Sequence, residues 1–116
     1  MKVAAVVPHW NRRDLLQTLL TNLAEQTRRF DEIIVVDNGS TDDSVAVAEG
    51  ADAKVIRLDR NLGFAAAVNG GIAATQADWI AILNNDVTLE PDWLAILLTR
   101  SILRLHASGL WISTDW

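Results

Sequence analysis

Between Asp31 and Ser44 the chain reads DEIIVVDNGSTDDS, four β-branched residues running straight into a cluster of Asp, Asn, Gly, Ser and Thr. An apolar run this short, without alternation and bounded by turn formers, is a strand with both faces covered. That excludes a one-sided antiparallel sheet for this part of the chain and calls for helices on both faces of a parallel one. The strand delivers a carboxylate, Asp37, onto a tight turn at Asn38-Gly39. In open α/β sheets ligands sit beyond the carboxyl ends of strands, so a site is expected there. DWIAILNNDV, Asp78 to Val87, repeats the design and ends in amides and Asp86.

The rest of the pattern agrees. Val3 to Val7 reads as a strand closed by Pro8, and Asn11 as the cap of a helix from Arg12 to about Gln26. Leu15, Leu16, Leu19, Leu20 and Leu23 mark that helix's buried face. Ile33 to Asp37 is the second strand, and Asp42 or Asp43 caps a short helix, Val45 to Glu49, stopped by Gly50. Lys54 to Leu58 is a weaker strand. Phe64 to Gln76 reads as helix despite Gly70-Gly71, each glycine costing roughly 1 kcal/mol relative to alanine. Trp79 to Leu83 is the fourth strand, and Pro91, suited to a first helical position, opens a helix to Arg100 or beyond. Strands alternating with helices give an α/β fold: an open, mainly parallel sheet with flanking helices.

With 116 residues, half of them hydrophobic, the chain has room for one packed domain, assigned to residues 1–100. Residues 101–116 form an atypical tail. Leu94, Ile96, Leu97, Leu98, Ile102, Leu103 and Leu105 wrap around most of a helix, and the chain stops at Trp116 without a polar closing segment. This pattern reads as an interrupted protein. A net charge of −5 argues against a nucleic-acid binder, which needs a basic face. It leaves room for a nucleotide bound through a divalent cation, which supplies positive charge locally. Without cysteine there is no disulfide, thiolate chemistry or cysteine-based zinc site.

Three segments carry candidate chemistry. Asp37 with Asn38 can accept a pyrimidine imide N–H or ribose hydroxyls, or can simply cap the turn that follows. Asn84-Asn85-Asp86 can place one carboxylate on Mg²⁺ or Mn²⁺, ions that keep several waters and take further ligands from substrate phosphates. It can equally be a polar turn before the Pro91 helix. In Pro8-His9-Trp10-Asn11, Trp10 can stack on a base or cover the core edge. His9 and His106 have no partners at metal-ligand spacing and read as ordinary surface or loop residues. Asn61-Leu62-Gly63-Phe64 reads as a turn opening a helix. A Gly-rich dinucleotide fingerprint, a P-loop and a nucleophile elbow are all absent from the sequence.

VVPHWNR (Val6 to Arg12), EIIVVDNGSTDDS (Glu32 to Ser44), NLGFAAAVNGGI (Asn61 to Ile72) and DWIAILNNDV together resemble glycosyltransferase family 2, in order and in spacing. The likeness covers roughly residues 3 to 98. It implies the GT-A fold, here its Rossmann-like nucleotide-diphospho-sugar-binding half. By that resemblance Pro8, Trp10 and Asp37 line the base pocket. Asn84-Asn85-Asp86 then takes the place of the family's DxD motif, with Asp86 as ligand to Mg²⁺ or Mn²⁺ and Asn85 near the ribose. The first carboxylate of that motif is here Asn84, a departure similar to rhamnosyltransferase-like members, which implies a deoxysugar donor such as dTDP-rhamnose.

The resemblance further implies a hexosyltransferase-type enzyme. It would use a dTDP- or UDP-sugar donor and a glycan or lipid-linked acceptor in surface-polysaccharide synthesis, at the cytoplasmic face of a membrane. Inverting transfer needs a carboxylate base for the acceptor hydroxyl. No counterpart to the family's base is found after Thr99, where only Asp115 remains, so no catalytic residue is assigned. Two other classes compete: a non-catalytic nucleotide- or partner-binding α/β module, and a phosphoacceptor receiver, the latter weakened because the first strand ends in Pro-His-Trp-Asn.

Overall fold

The computed structural model describes residues 1–104 and 110–112. Five strands form one sheet in the order β3-β2-β1-β4-β5, and every neighbouring pair is parallel. The strands are β1 (Val3–His9), β2 (Glu32–Asp37), β3 (Lys54–Arg57), β4 (Trp79–Ile82) and β5 (Leu110–Ile112). Helices α1 (Arg13–Ala24), α2 (Ser44–Gly50), α3 (Phe64–Ala73) and α4 (Trp93–Arg104) lie between them. The expected α/β architecture is present. β5 lies in the stretch where the sequence pattern gave no strand, and the segments around His106, Asp115 and Trp116 lie outside the described residues.

Alternation along β1 explains why it is central. Val3, Ala5 and Val7 face one side, where Leu16, Leu19, Leu20 and Leu23 of α1 and Leu94 and Leu98 of α4 bury them. Each fully buried leucine contributes about 2 kcal/mol. Val6 faces the other side with Ile34 and Val36 of β2 and Ala67 of α3. There Gly71 has a purpose that helix propensity conceals. A Cβ at this position would overlap Cγ1 of Val6 and press Cγ2 of Val36 at 3.2 Å. The glycine lets the α3 backbone lie directly on the sheet. No described helix is long and apolar enough to cross a membrane.

Three boundaries differ from the sequence pattern for identifiable reasons. Pro8 does not close β1; it lies within the strand, opposite Val36. The carbonyl of His9 accepts the Asn38 N–H on the β2 side, whereas that of Val6 accepts the Leu83 N–H on the β4 side. Pro8 shares the parity of Val6, so its missing N–H faces β4. Pairing with β4 ends at Val6↔Ile82, while pairing with β2 continues to His9↔Asp37. The proline therefore costs no ladder bond, and β1 and β4 part at their carboxyl ends.

Asn11 does not cap α1 either. Asn11 (φ 51) and Arg12 (φ 55) are both left-handed, and Arg12 occupies the cap position without a side-chain hydrogen bond. Such backbone costs about 1 kcal/mol or more per residue and is held by surrounding structure. Here the Asn11 N–H donates to Ser40 Oγ (2.8 Å) and Asn11 Oδ1 accepts the Thr41 N–H (2.9 Å). Lastly, α4 starts at Trp93, two residues after Pro91. Buried Gln26 accepts the Leu94 N–H through Oε1 (3.0 Å) and donates from Nε2 to the Glu90 carbonyl (2.7 Å). A side chain from the end of α1 thus supplies the cap that local sequence lacks.

Candidate ligand site at the parted strand ends

Strand order reverses between β1 and β4, and this is also where the two strands separate. Crevices at such switch points are the usual ligand sites of open α/β sheets. A pocket of about 220 Å³ opens there. Pro8 and His9 of β1 line it with Trp10 just beyond, Asn38 just after β2, Asn61 and Phe64 at the entrance to α3, and Asn84 and Asn85 in the turn after β4. A larger cavity, about 450 Å³, lies at the opposite end of the sheet beside Phe30, Glu32 and Lys54. Its lining is the start of β2 and β3, away from every strand exit.

Asp37 ends β2 and Asp86 follows β4 by four residues, so both come after the carboxyl ends of the strands that flank β1. Their surroundings differ. Asp37 is buried, and its carboxylate accepts the Ser40 N–H (2.9 Å) and the Ser40 O–H (2.5 Å). The turn between them needs Gly39, whose φ is +77° and whose Cβ would stand 2.8 Å from Arg60 Cα. Asn38, also buried, accepts the Leu62 N–H (3.2 Å) and donates to the Gly63 carbonyl (3.3 Å), fixing the loop that carries Asn61 and Phe64. Asp86 is exposed. Among the described residues it accepts no hydrogen bond and joins no ion pair, although its field reaches Arg12. That guanidinium is held above its ordinary pKa first by its hydrogen bond to Asp14 and also by the charges of Asp14 and Asp86.

Of the expected residues Pro8, Trp10, Asn84 and Asn85 line the pocket, whereas Asp37 and Asp86 are not part of its lining. Trp10 (50 % exposed) and Phe64 (55 %) are exposed aromatic residues in its lining. Asn84 and Asn85 are half-buried in its wall. His9 corrects the sequence reading: it is not a surface residue but 2 % exposed at the end of β1. Its Nε2 lies 2.8 Å from Ser44 Oγ and its Nδ1 lies 3.1 Å from Asn85 Nδ2. Burial lowers its pKa below the ordinary 6.5, against the opposing pull of Asp37 and Asp42. Nothing local in the sequence signals this, because its partners lie 35 and 76 residues away.

No group of three or more His, Cys, Asp or Glu capable of holding a metal occurs among the described residues. A cage built wholly from protein is therefore not found there. A single exposed carboxylate, Asp86, adjacent in sequence to the pocket residue Asn85, is compatible with a hard cation that keeps its waters and draws further oxygens from a phosphorylated ligand.

The model of glycosyl transferase family 2 matches residues 4–102. The chain belongs to that family. Among curated family members, the succinoglycan biosynthesis protein ExoO of Rhizobium meliloti is 35 % identical over 97 % of this chain and 32 % of its own length. The undecaprenyl-phosphate 4-deoxy-4-formamido-L-arabinose transferase of Klebsiella pneumoniae is 33 % identical over 86 % of this chain and 33 % of its own. The chain thus spans about a third of the length of these curated relatives. The crystal structure of S. aureus TarS 1–349 in complex with UDP superposes with a TM-score of 0.81 at 24 % identity, over 89 % of this chain and 32 % of that 1–349 chain. The mannosyltransferase PcManGT of Pyrobaculum calidifontis, in complex with GDP-Man and Mn²⁺, gives 0.80 at 24 % identity, over 86 % of this chain and 32 % of its own. The family 2 fold and its GT-A architecture are thereby shown.

Proposed function

We propose that this chain is the donor-binding portion of a family 2 glycosyltransferase, and that the pocket between β1 and β4 takes a nucleotide-diphospho-sugar complexed with Mg²⁺ or Mn²⁺. The observation that carries this reading is the pocket lined by Trp10, Asn84 and Asn85 at the strand exits, with the exposed carboxylate of Asp86 next in sequence to Asn85. Relatives whose structures hold UDP or GDP-Man with Mn²⁺ support it.

In this reading Trp10 stacks on the base, Pro8 forms the wall beneath it, and Asp37 shapes the base end by locking the turn that presents Asn38. Asn84 and Asn85 face the ribose and diphosphate, and Asp86 holds the cation. The cation, when bound, neutralises charge developing on the diphosphate as the sugar leaves. Transfer is inverting, the donor is a dTDP- or UDP-hexose with a rhamnose-type deoxysugar favoured by Asn84, and the acceptor is a glycan or a lipid-linked saccharide. The base for the acceptor hydroxyl and the acceptor-binding half are assigned to the two thirds of the relatives' length that this chain does not span. Its place is the cytoplasmic side of a membrane, with peripheral association.

Thermal unfolding with UDP, dTDP and GDP, each with and without Mn²⁺ or Mg²⁺, tests this. A ligand at one hundred times its dissociation constant adds about 2.7 kcal/mol to the folded state, so a metal-dependent rise in Tm is expected for UDP or dTDP. No response to any nucleotide with either metal would overturn the reading. Nucleotide release from a sugar donor by the isolated chain would overturn the assignment of the base elsewhere.

A further inference from the structure

His9, Ser44 and Asp42 form a hydrogen-bonded chain whose direction is dictated from one end. Ser44 Oγ lies within hydrogen-bond reach of Asp42 Oδ1. An ionised carboxylate only accepts, and the other acceptor near Ser44 Oγ, the Asn11 carbonyl, is farther away at 3.5 Å, so the single hydroxyl proton of Ser44 points to Asp42. Ser44 Oγ must then accept from His9 Nε2, 2.8 Å away, which places the ring proton on Nε2. A neutral imidazole with its proton there has a bare Nδ1. Among the described residues the partner of Nδ1 is the Asn85 side chain at 3.1 Å, which must turn its NH₂ group to the ring. The opposite rotamer would set two lone pairs against each other. Protonating both ring nitrogens would bury a charge at a residue 2 % exposed.

The consequence lies at the other end of the Asn85 amide. With Nδ2 committed to His9, Oδ1 is left over, and among the described residues it accepts no hydrogen bond. Asn85 lines the pocket. We propose that His9 is a positioning residue that fixes the Asn85 amide with its oxygen available to the ligand, so that this point of the pocket reads a hydroxyl donor and rejects an acceptor. The inference rests on the donor-site reading for the identity of the ligand, a ribose or sugar hydroxyl, but not for the orientation of the amide.

Two measurements separate these parts. In a chain carrying His106→Asn, ¹⁵N spectra of the remaining histidine report which ring nitrogen bears the proton, with no ligand added. Nδ1 bare and Nε2 protonated at neutral pH is the expected result; a proton on Nδ1 overturns the inference. Ser44→Ala removes the acceptor for Nε2–H, and Asn85→Asp replaces the donor facing Nδ1 by an acceptor. Each should move the proton toward Nδ1, and an unchanged ring spectrum in both would also overturn it.

For the ligand, the Mn²⁺-dependent affinities of UDP and 2′,3′-dideoxy-UDP test ribose hydroxyls, and those of UDP-glucose and UDP test sugar hydroxyls. One hydrogen bond of this kind gives about a tenfold preference for the hydroxyl-bearing partner in one pair. Ser44→Ala should reduce that preference toward unity while binding of Mn²⁺-pyrophosphate is unchanged. A preference that survives intact in Ser44→Ala contradicts the role of the chain. Failure of every nucleotide to bind, with the expected ring spectrum, overturns the donor site and leaves the amide orientation standing.

Discussion

The exits of β2 and β4 carry the same kinds of residue, an acid among amides after an apolar run, yet their carboxylates are used differently. At the β2 exit Asp37 is buried and both of its oxygens hold Ser40. At the β4 exit Asp86 is exposed and, among the described residues, unpartnered. The residue three positions on makes the difference. Ser40 has an N–H and an O–H to give back to Asp37, whereas the residue in that position after Asp86 is Leu89, which is buried in the core. One carboxylate closes a turn, and the other accepts no hydrogen bond among the described residues.

That contrast can be broken experimentally, and the β2 exit should respond most in stability. Gly39→Ala forces a Cβ to 2.8 Å from Arg60 Cα at a φ of +77°. It should cost about 3 kcal/mol in urea unfolding, combining backbone strain with a steric clash. Asp37→Ala should cost about 2 kcal/mol, because the Ser40 N–H and O–H lose their acceptor in a partly buried turn.

A smaller effect is expected from His9 on lowering the pH. Its folded pKa lies below 6.5, so the unfolded chain binds a proton that the folded chain refuses. Its contribution is therefore complete above about pH 6.5 and is lost as pH falls from there toward the folded pKa. Asp31, held below the ordinary 3.8 chiefly by the Val3 N–H, acts in a separate and more acidic window. Unfolding free energies at pH 7 and pH 5 should thus differ in the native chain and less so in His9→Phe. The smallest change belongs to the β4 exit: Asp86→Ala should alter stability by no more than about 0.5 kcal/mol, as for a surface side chain without partners. A loss comparable to that of Asp37→Ala would erase the contrast.

Much of this was legible from residue order. The apolar runs gave four of the five strands, because a strand buried on both faces has a composition little else shares. The leucine spacing of α1 gave its buried face. The Asp37–Ser40 pairing was within reach too, since its partners are three residues apart and such turns follow local rules. What escaped was whatever depended on distant partners. Gln26 sets the start of α4 from 68 residues away. His9 is buried by Ser44 and Asn85, neither near it in sequence. Pro8 looked like a strand terminator because its tolerance depends on where β4 stops pairing. Gly71 looked like a flaw in a helix because its benefit is a contact with Val6, which periodicity along α3 does not contain.

The central claim is that the carboxylate left free at the β4 exit is a ligand for the cation of a nucleotide donor. Calorimetric titration of UDP with and without Mn²⁺, in the native chain and in Asp86→Ala, tests it directly. Mn²⁺ should tighten UDP binding at least about tenfold in the native chain and leave Asp86→Ala unimproved. An equal gain from Mn²⁺ in both proteins would contradict the account.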